Sequence, residues 1–238
     1  VESEQMWPFA EPSIPPAPSI EQVRKHSRIL VIDDHVFPAM KNFERDGYHF
    51  ERWPSVKNLS QLTDGHWHVI LLDIQGVGLA ESPDLQGLGI LRHVKRSNPA
   101  QPVIVYSAQP QKVSSSEYLL LADAVIDKGM SYLEYKERVD DLLVRHATPG
   151  WFIAAMNREL GESAAAAPKA VAKALRAFRT RDSRQLHGYL SRSLADQDKV
   201  DLVVNIIAVG DQNLWRRWRE RLWPLGSLSL PNRVGEVS

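Results

Sequence analysis

Between residues 28 and 127 short apolar runs alternate with amphipathic stretches. The runs 28–32, 48–52, 68–72, 102–106 and 124–126 have the length of strands, and HVILL at 68–72 is apolar at nearly every position. A run without polar alternation is what a strand buried on both faces requires. The stretches 37–46, 55–62, 88–95, 113–122 and 131–144 carry helical periodicity between them. Pro38 is acceptable in a first helical turn. Ser131 and Glu134 form a capping-box pattern at the start of the last stretch. Five strands alternating with five helices predict an α/β fold, a doubly wound five-stranded parallel sheet over 28–146.

The pattern changes on both sides of that unit. Pro8, Pro12, Pro15, Pro16 and Pro18 crowd residues 1–27, a stretch expected to be a tail or linker. Trp7 and Phe9 flank Pro8, so a docking peptide is the other reading. After His146 the helical readings predominate, which predicts a smaller all-α domain over 147–238. Thr148 and Pro149 suit a helix start and Gly161 a stop. Residues 163–168 read as a linker, and 171–178 and 184–190 as helices. Strand and helix compete over 199–209; helix is favoured, with Gly210 as stop and Asp211 as the next cap. Trp215, Trp218 and Leu222 share one face of 214–223 at helical spacing, among Arg216, Arg217, Arg219 and Arg221.

In doubly wound sheets, ligands bind beyond the carboxyl ends of the strands. Asp33-Asp34, Asp73, Ser107 and Lys128 stand at four such ends. Taken singly, a carboxylate there caps a helix or stays solvated as readily as it does chemistry. The convergence of four strand ends argues for a site. Three carboxylates contribute −3, a divalent cation +2 and Lys128 +1, so a site holding Mg²⁺ is near neutral before an anionic group arrives. Magnesium favours oxygen ligands of this kind.

Composition narrows the class without naming it. The chain has 238 residues, no cysteine and a formal net charge of zero. Thiolate metal sites and cysteine nucleophiles are excluded, and the lack of cysteine fits a reducing, cytoplasmic compartment. No run approaches the roughly 18–20 apolar residues of a membrane span, and the first residues lack a signal-peptide plan. The chain opens on Val1, as a fragment or processed chain would. The zero net charge conceals an asymmetry: residues 147–238 hold fourteen Lys and Arg against nine Asp and Glu, leaving an acidic front and a basic back.

The segments ILVIDDH at 29–35, VILLDI at 69–74, VIVYSA at 103–108 and ADAVIDKG at 122–129 resemble the receiver domains of two-component response regulators, which have a flavodoxin-like fold. The resemblance covers about half of the chain, from Arg28 to about His146. It implies an aspartyl phosphate at Asp73, formed from a sensor histidine kinase or phosphotransfer partner. It also implies Mg²⁺ on Asp33, Asp34, Asp73 and the backbone carbonyl of Gln75, with Ser107 and Lys128 contacting the phosphoryl group. Several positions depart from the family pattern. A long segment, IQGVGLAESPDLQG, follows Asp73, with Val77 where a proline is usual. It is either a flap or partner contact, carrying Glu81 and Asp84, or a disordered surface insertion. Gly129 replaces the proline expected after Lys128, and Val125 an aromatic switch residue. Gln75 and Gln109 occupy positions that tune phosphoaspartate lifetime in the family.

Among the histidines, His66 and His68 have no nearby third metal ligand in sequence and read as structural or exposed. His35 either starts a helix or approaches the acidic pair. The helical half carries no phosphate loop, metalloprotease motif, nucleophile elbow or helix-turn-helix. Its basic, Trp-rich segment serves as a core helix, as a partner or homodimer helix, or as a contact for nucleic acid or an anionic membrane. The expected function is a phosphorylatable switch, not an enzyme with its own substrate, signalling by protein contact or oligomerisation. The alternatives are a DNA-binding transcription regulator and a degenerate receiver serving as a phosphate-independent scaffold.

Overall fold

The computed structural model of the chain describes residues 19–63, 67–108, 117–161, 168–180 and 185–210. The Pro-rich segment before Ser19, His66, Gln109 and the Trp- and Arg-rich segment 214–223 lie outside these residues, as do most of the expected linker and the start of the expected helix at 113–122.

Strands β1 (Arg28–Ile32), β2 (His49–Trp53), β3 (Val69–Asp73), β4 (Val103–Ser107) and β5 (Ala124–Asp127) form one sheet in the order β2-β1-β3-β4-β5. All four pairings are parallel. The doubly wound α/β fold expected from the apolar runs is therefore present. Because side chains alternate across a strand, β1 feeds two cores. Ile29 and Val31 pack with Phe37, Phe43, Tyr135, Val139 and Leu142 on one face. Leu30 and Ile32 pack with Trp53, Leu62, Ile90, Leu91 and Val94 on the other. Strands β3 and β4 are buried at every position, the physical reason their sequences show no polar alternation.

Helices α1 (Ile20–His26), α2 (Met40–Arg45), α3 (Ser60–Thr63), α4 (Gly87–Ser97) and α5 (Tyr132–His146) surround the sheet, and a 3₁₀ turn spans Glu117–Leu121. Helix α5 starts at the expected Ser131–Glu134 capping box. Three expectations need correction. The stretch read as tail is helical at Ile20–His26, where Ser19 and Gln22 form a capping box just beyond the last proline. Arg24 anchors that helix to α5 through Asp140, with bonds of 3.1 and 2.5 Å. Helix α2 starts at Met40, not at 37, because Pro38 disfavours helical backbone at Phe37 and the Phe37 ring turns into the core. The helix expected over 55–62 is a single turn, entered where Asn58 Oδ1 accepts from the backbone amides of Ser60 and Gln61.

Past His146 the described residues form helices α6 (Pro149–Leu160), α7 (Pro168–Thr180), α8 (Leu186–Ser193) and α9 (Gln197–Gly210). Pro149 occupies the first turn of α6 and Gly161, at φ 46°, closes it, as the sequence implied. Thr148 does not cap it by side chain; its hydroxyl donates back to the Arg145 carbonyl at 2.7 Å. The stretch 199–209 is helical, and Val200, Val203, Ile206 and Ile207 fill a core with Phe152, Met156, Leu186 and Leu190. Ala100, from the loop before β4, belongs to that same core. The two halves meet there: Trp151 Nε1 donates to the Ala100 carbonyl at 2.7 Å, and Arg158 donates to the Pro99 carbonyl at 3.2 Å.

Candidate phosphoacceptor site

The carboxyl ends of β1, β3, β4 and β5 bring Asp33, Asp34, Asp73, Ser107 and Lys128 to one edge of the sheet. Register alone accounts for much of this. Asp73 pairs with Tyr106, and Ser107 with Asp127, so Ser107 and Lys128 follow one another across neighbouring strands. The Lys128 amide donates to the Ser107 carbonyl at 2.9 Å. This bond extends the β4–β5 ladder by one step and delivers the lysine side chain to the site, with glycine rather than proline behind it.

Asp73 is buried, and its carboxylate is paired directly with Lys128 Nζ. Its other oxygen accepts from the Gln75 amide at 3.2 Å. Burial raises its pKa, against the pull of Lys128 and the Gln75 amide. Asp33 is equally buried. One of its oxygens accepts from the His35 amide at 2.8 Å; the other accepts from the Tyr106 phenol at 2.7 Å and lies 3.5 Å from Lys128 Nζ. Asp34 is more open and pairs with His35 Nδ1 at 2.8 Å. Arg52, from β2, donates to the carbonyls of Asp34 and His35 at 3.0 and 2.9 Å, fixing the backbone that carries the pair.

Gly76 explains how the loop after Asp73 accommodates the acidic pair. Its φ is +79°, and a Cβ there would collide with the Asp34 carboxylate. Both facts favour glycine. Gly87 is constrained by contact alone, since a Cβ would collide with the Asp73 carbonyl. The long segment between these glycines is described in full and is folded, not splayed. Val77 is buried with Ile90 and Leu91, and Gln86 Oε1 accepts from the Gly76 amide at 2.9 Å. Glu81 and Asp84 are exposed on it.

His35 lies beside the acidic pair: its ligand atom and those of Asp33 and Asp34 lie within 4.8 Å of one another. His68 is buried, and its Nδ1 accepts from the Arg28 amide at 3.1 Å, a structural role. Val125 is 39% exposed on β5, so no aromatic ring stands at that strand's surface position. Tyr106 is the site residue that the sequence pattern did not reveal. An aromatic inside VIVYS reads as core, which its ring is; only its place immediately before Ser107 could have marked the hydroxyl. Burial and the neighbouring Asp33 raise its pKa far above the ordinary tyrosine value, so it stays a donor.

No protein-family model matches the chain, and no curated protein matches it. Solved structures do. A response-regulator receiver domain protein (CheY-like) from Methanospirillum hungatei JF-1 is 22% identical over 50% of this chain and 95% of its own, with a TM-score of 0.41. The response regulator TrrA from Thermotoga maritima, solved in complex with Mg²⁺-BeF, is 23% identical over 49% and 98%, with a TM-score of 0.39. A Francisella response regulator 1452 receiver domain is 26% identical over 50% and 98%, with a TM-score of 0.42. With its parallel sheet in the order β2-β1-β3-β4-β5, the α/β half of this chain is similar in fold to CheY-like response-regulator receiver domains.

Proposed function

We propose that this chain is a two-component response regulator that accepts a phosphoryl group on Asp73. The observation that carries the reading is the pairing of the buried Asp73 carboxylate with Lys128, beside Asp33 and Asp34. The donor set fits Mg²⁺: it consists of carboxylate oxygens, and Asp34 remains open to solvent above Gly76. Asp34, Asp73 and the Gln75 carbonyl would hold the ion directly, whereas Asp33, expected among the ligands, is engaged by the Tyr106 phenol and the His35 amide and would stand behind them. Its chemistry there is to offset the negative charge shared by acceptor and phosphoryl oxygens.

The residues of the chain do the rest. An Asp73 carboxylate oxygen attacks phosphorus as the bond to the donor breaks, and the donor leaves as a neutral imidazole from a phosphohistidine already protonated on its other ring nitrogen, or as acetate from acetyl phosphate. Lys128 transfers its charge from the carboxylate to a phosphoryl oxygen. The Ser107 hydroxyl donates to another. The partner that supplies the group is a sensor histidine kinase or phosphotransfer protein. The output runs through the helical half, by protein contact or homodimerisation, and the protein acts in the cytoplasm. Among the described residues no helix is long and apolar enough to cross a membrane.

The test is intact mass after incubation with acetyl phosphate and Mg²⁺, for the parent chain and for Asp73→Asn. One added phosphoryl group on the parent alone is the expected result. An unmodified parent that also fails to bind beryllofluoride with Mg²⁺ would make the receiver a phosphate-independent scaffold.

A further inference from the structure

Asp33 is held in an unusual way for a residue at the edge of a metal site. It is 1% exposed, and one of its carboxylate oxygens receives the Tyr106 phenol at 2.7 Å. The same oxygen lies 3.5 Å from Lys128 Nζ, whose direct partner is Asp73. Two carboxylates thus compete for one ammonium, and the phenol already occupies part of the losing one. The ammonium also sits over the Tyr106 ring, 5.1 Å from its centroid. That ring is fixed edge-on against Phe37 at 5.5 Å, and Phe37 in turn against Tyr135 at 5.4 Å. Tyr106 is fully buried and has little freedom to turn away.

Resting on the phosphoacceptor reading, we propose that Tyr106 is a positioning residue: by hydrogen-bonding Asp33 it keeps Lys128 on Asp73, where the incoming phosphoryl group needs it. Without the hydroxyl, the Asp33 oxygen lacks a donor in a buried setting. A buried carboxylate oxygen takes the nearest donor available, and that donor is Lys128. The lysine would then divide itself between Asp33 and Asp73. The carboxylates and the total charge of the site would be unchanged, so cation binding should persist while phosphoryl transfer slows.

The experiment compares the parent with Tyr106→Phe, which keeps the ring and removes only the hydroxyl. Three quantities are read: Mg²⁺ affinity by titration calorimetry, the acetyl-phosphate phosphorylation rate at saturating Mg²⁺, and Tm. The expected result is a rate about tenfold lower, the scale of one hydrogen bond to a charged group, with Mg²⁺ affinity not weakened. Val94→Ala, in the core on the other face of the sheet, is the packing control; it should lower Tm and leave the rate at saturating Mg²⁺ in place. If Tyr106→Phe does not fold, Tyr106→Met supplies an apolar chain without a hydroxyl and must show the same split. An unchanged rate, or affinity, rate and Tm falling together, overturns the proposal while the phosphoacceptor reading stands. A parent chain that takes no phosphoryl group overturns both.

Discussion

Trp151 and Ala100 join the two halves of the protein through one bond of 2.7 Å, from an indole N–H to a backbone carbonyl. Ala100 is fully buried and belongs to the helical core although it precedes β4. The junction therefore shares side chains between the halves, where a flexible tether would share none. Trp151→Phe keeps most of the packing and strands the carbonyl, at a cost of about 1–3 kcal/mol. Thermal unfolding followed by circular dichroism should show a single transition, shifted down; two separate transitions would mean that the halves unfold independently.

His146 sits at this junction, with its ring 5.1 Å from Phe152 and 6.1 Å from His68. It is fully enclosed, its Nε2 has no partner among the described residues, and burial lowers its pKa to about 3. The unfolded chain takes up that proton near the ordinary value of 6.5 and the folded chain does not. Stability is therefore lost as pH falls from about 6.5 toward 3, by a few kcal/mol. His146→Phe should be neutral or stabilising at pH 7 and should flatten this part of the pH profile in urea titrations. A profile as steep as the parent's would assign the acid sensitivity elsewhere.

Gly87 is where the loop after Asp73 returns to the sheet, and an added Cβ has only backbone to push against. Gly87→Ala should cost about 1–3 kcal/mol. It should also slow phosphorylation, since the collision moves the Asp73 carbonyl and the Ile74 backbone. Normal kinetics at reduced Tm would show that the loop can give without disturbing the acceptor.

Asp140 collects Arg24, Tyr48 and Lys136, and these partners hold its pKa below the ordinary carboxylate value despite its burial. Asp140→Ala removes the anchor of α1 and should cost about 1–3 kcal/mol, toward the lower end because the cluster is partly exposed. Hydrogen exchange should rise first in Ile20–His26; protection unchanged there would show that Val23 alone holds the helix.

The elements that were legible in the sequence share a cause. VILLD and VIVYS lie in strands buried at every residue, and so short an apolar run fits a strand covered on both faces better than it fits a helix. Asp73, Ser107 and Lys128 could be located because strand ends in such a sheet lie on one side, so order along the chain implies proximity in space. Helix α1 was hidden because five prolines dominate residues 1–18 and the Ser19–Gln22 box follows immediately. The Tyr106–Asp33 bond was hidden for a different reason. It joins β4 to the end of β1, strands separated in the sheet by β3, and no pattern along a single strand encodes it.

Strand β4 begins just after the junction at Ala100 and ends at Ser107, so its length sets the distance between that junction and the candidate site. Five residues span roughly 16 Å. The described helix that bonds to residues 99–100, α6, therefore meets the amino end of β4, and the acidic cluster lies at its carboxyl end. Under the proposed function, a phosphodonor approaching Asp34 and Lys128 would come in at the opposite end of β4 from α6. On that reading, loading the acceptor and responding through α6 would then use opposite ends of one strand.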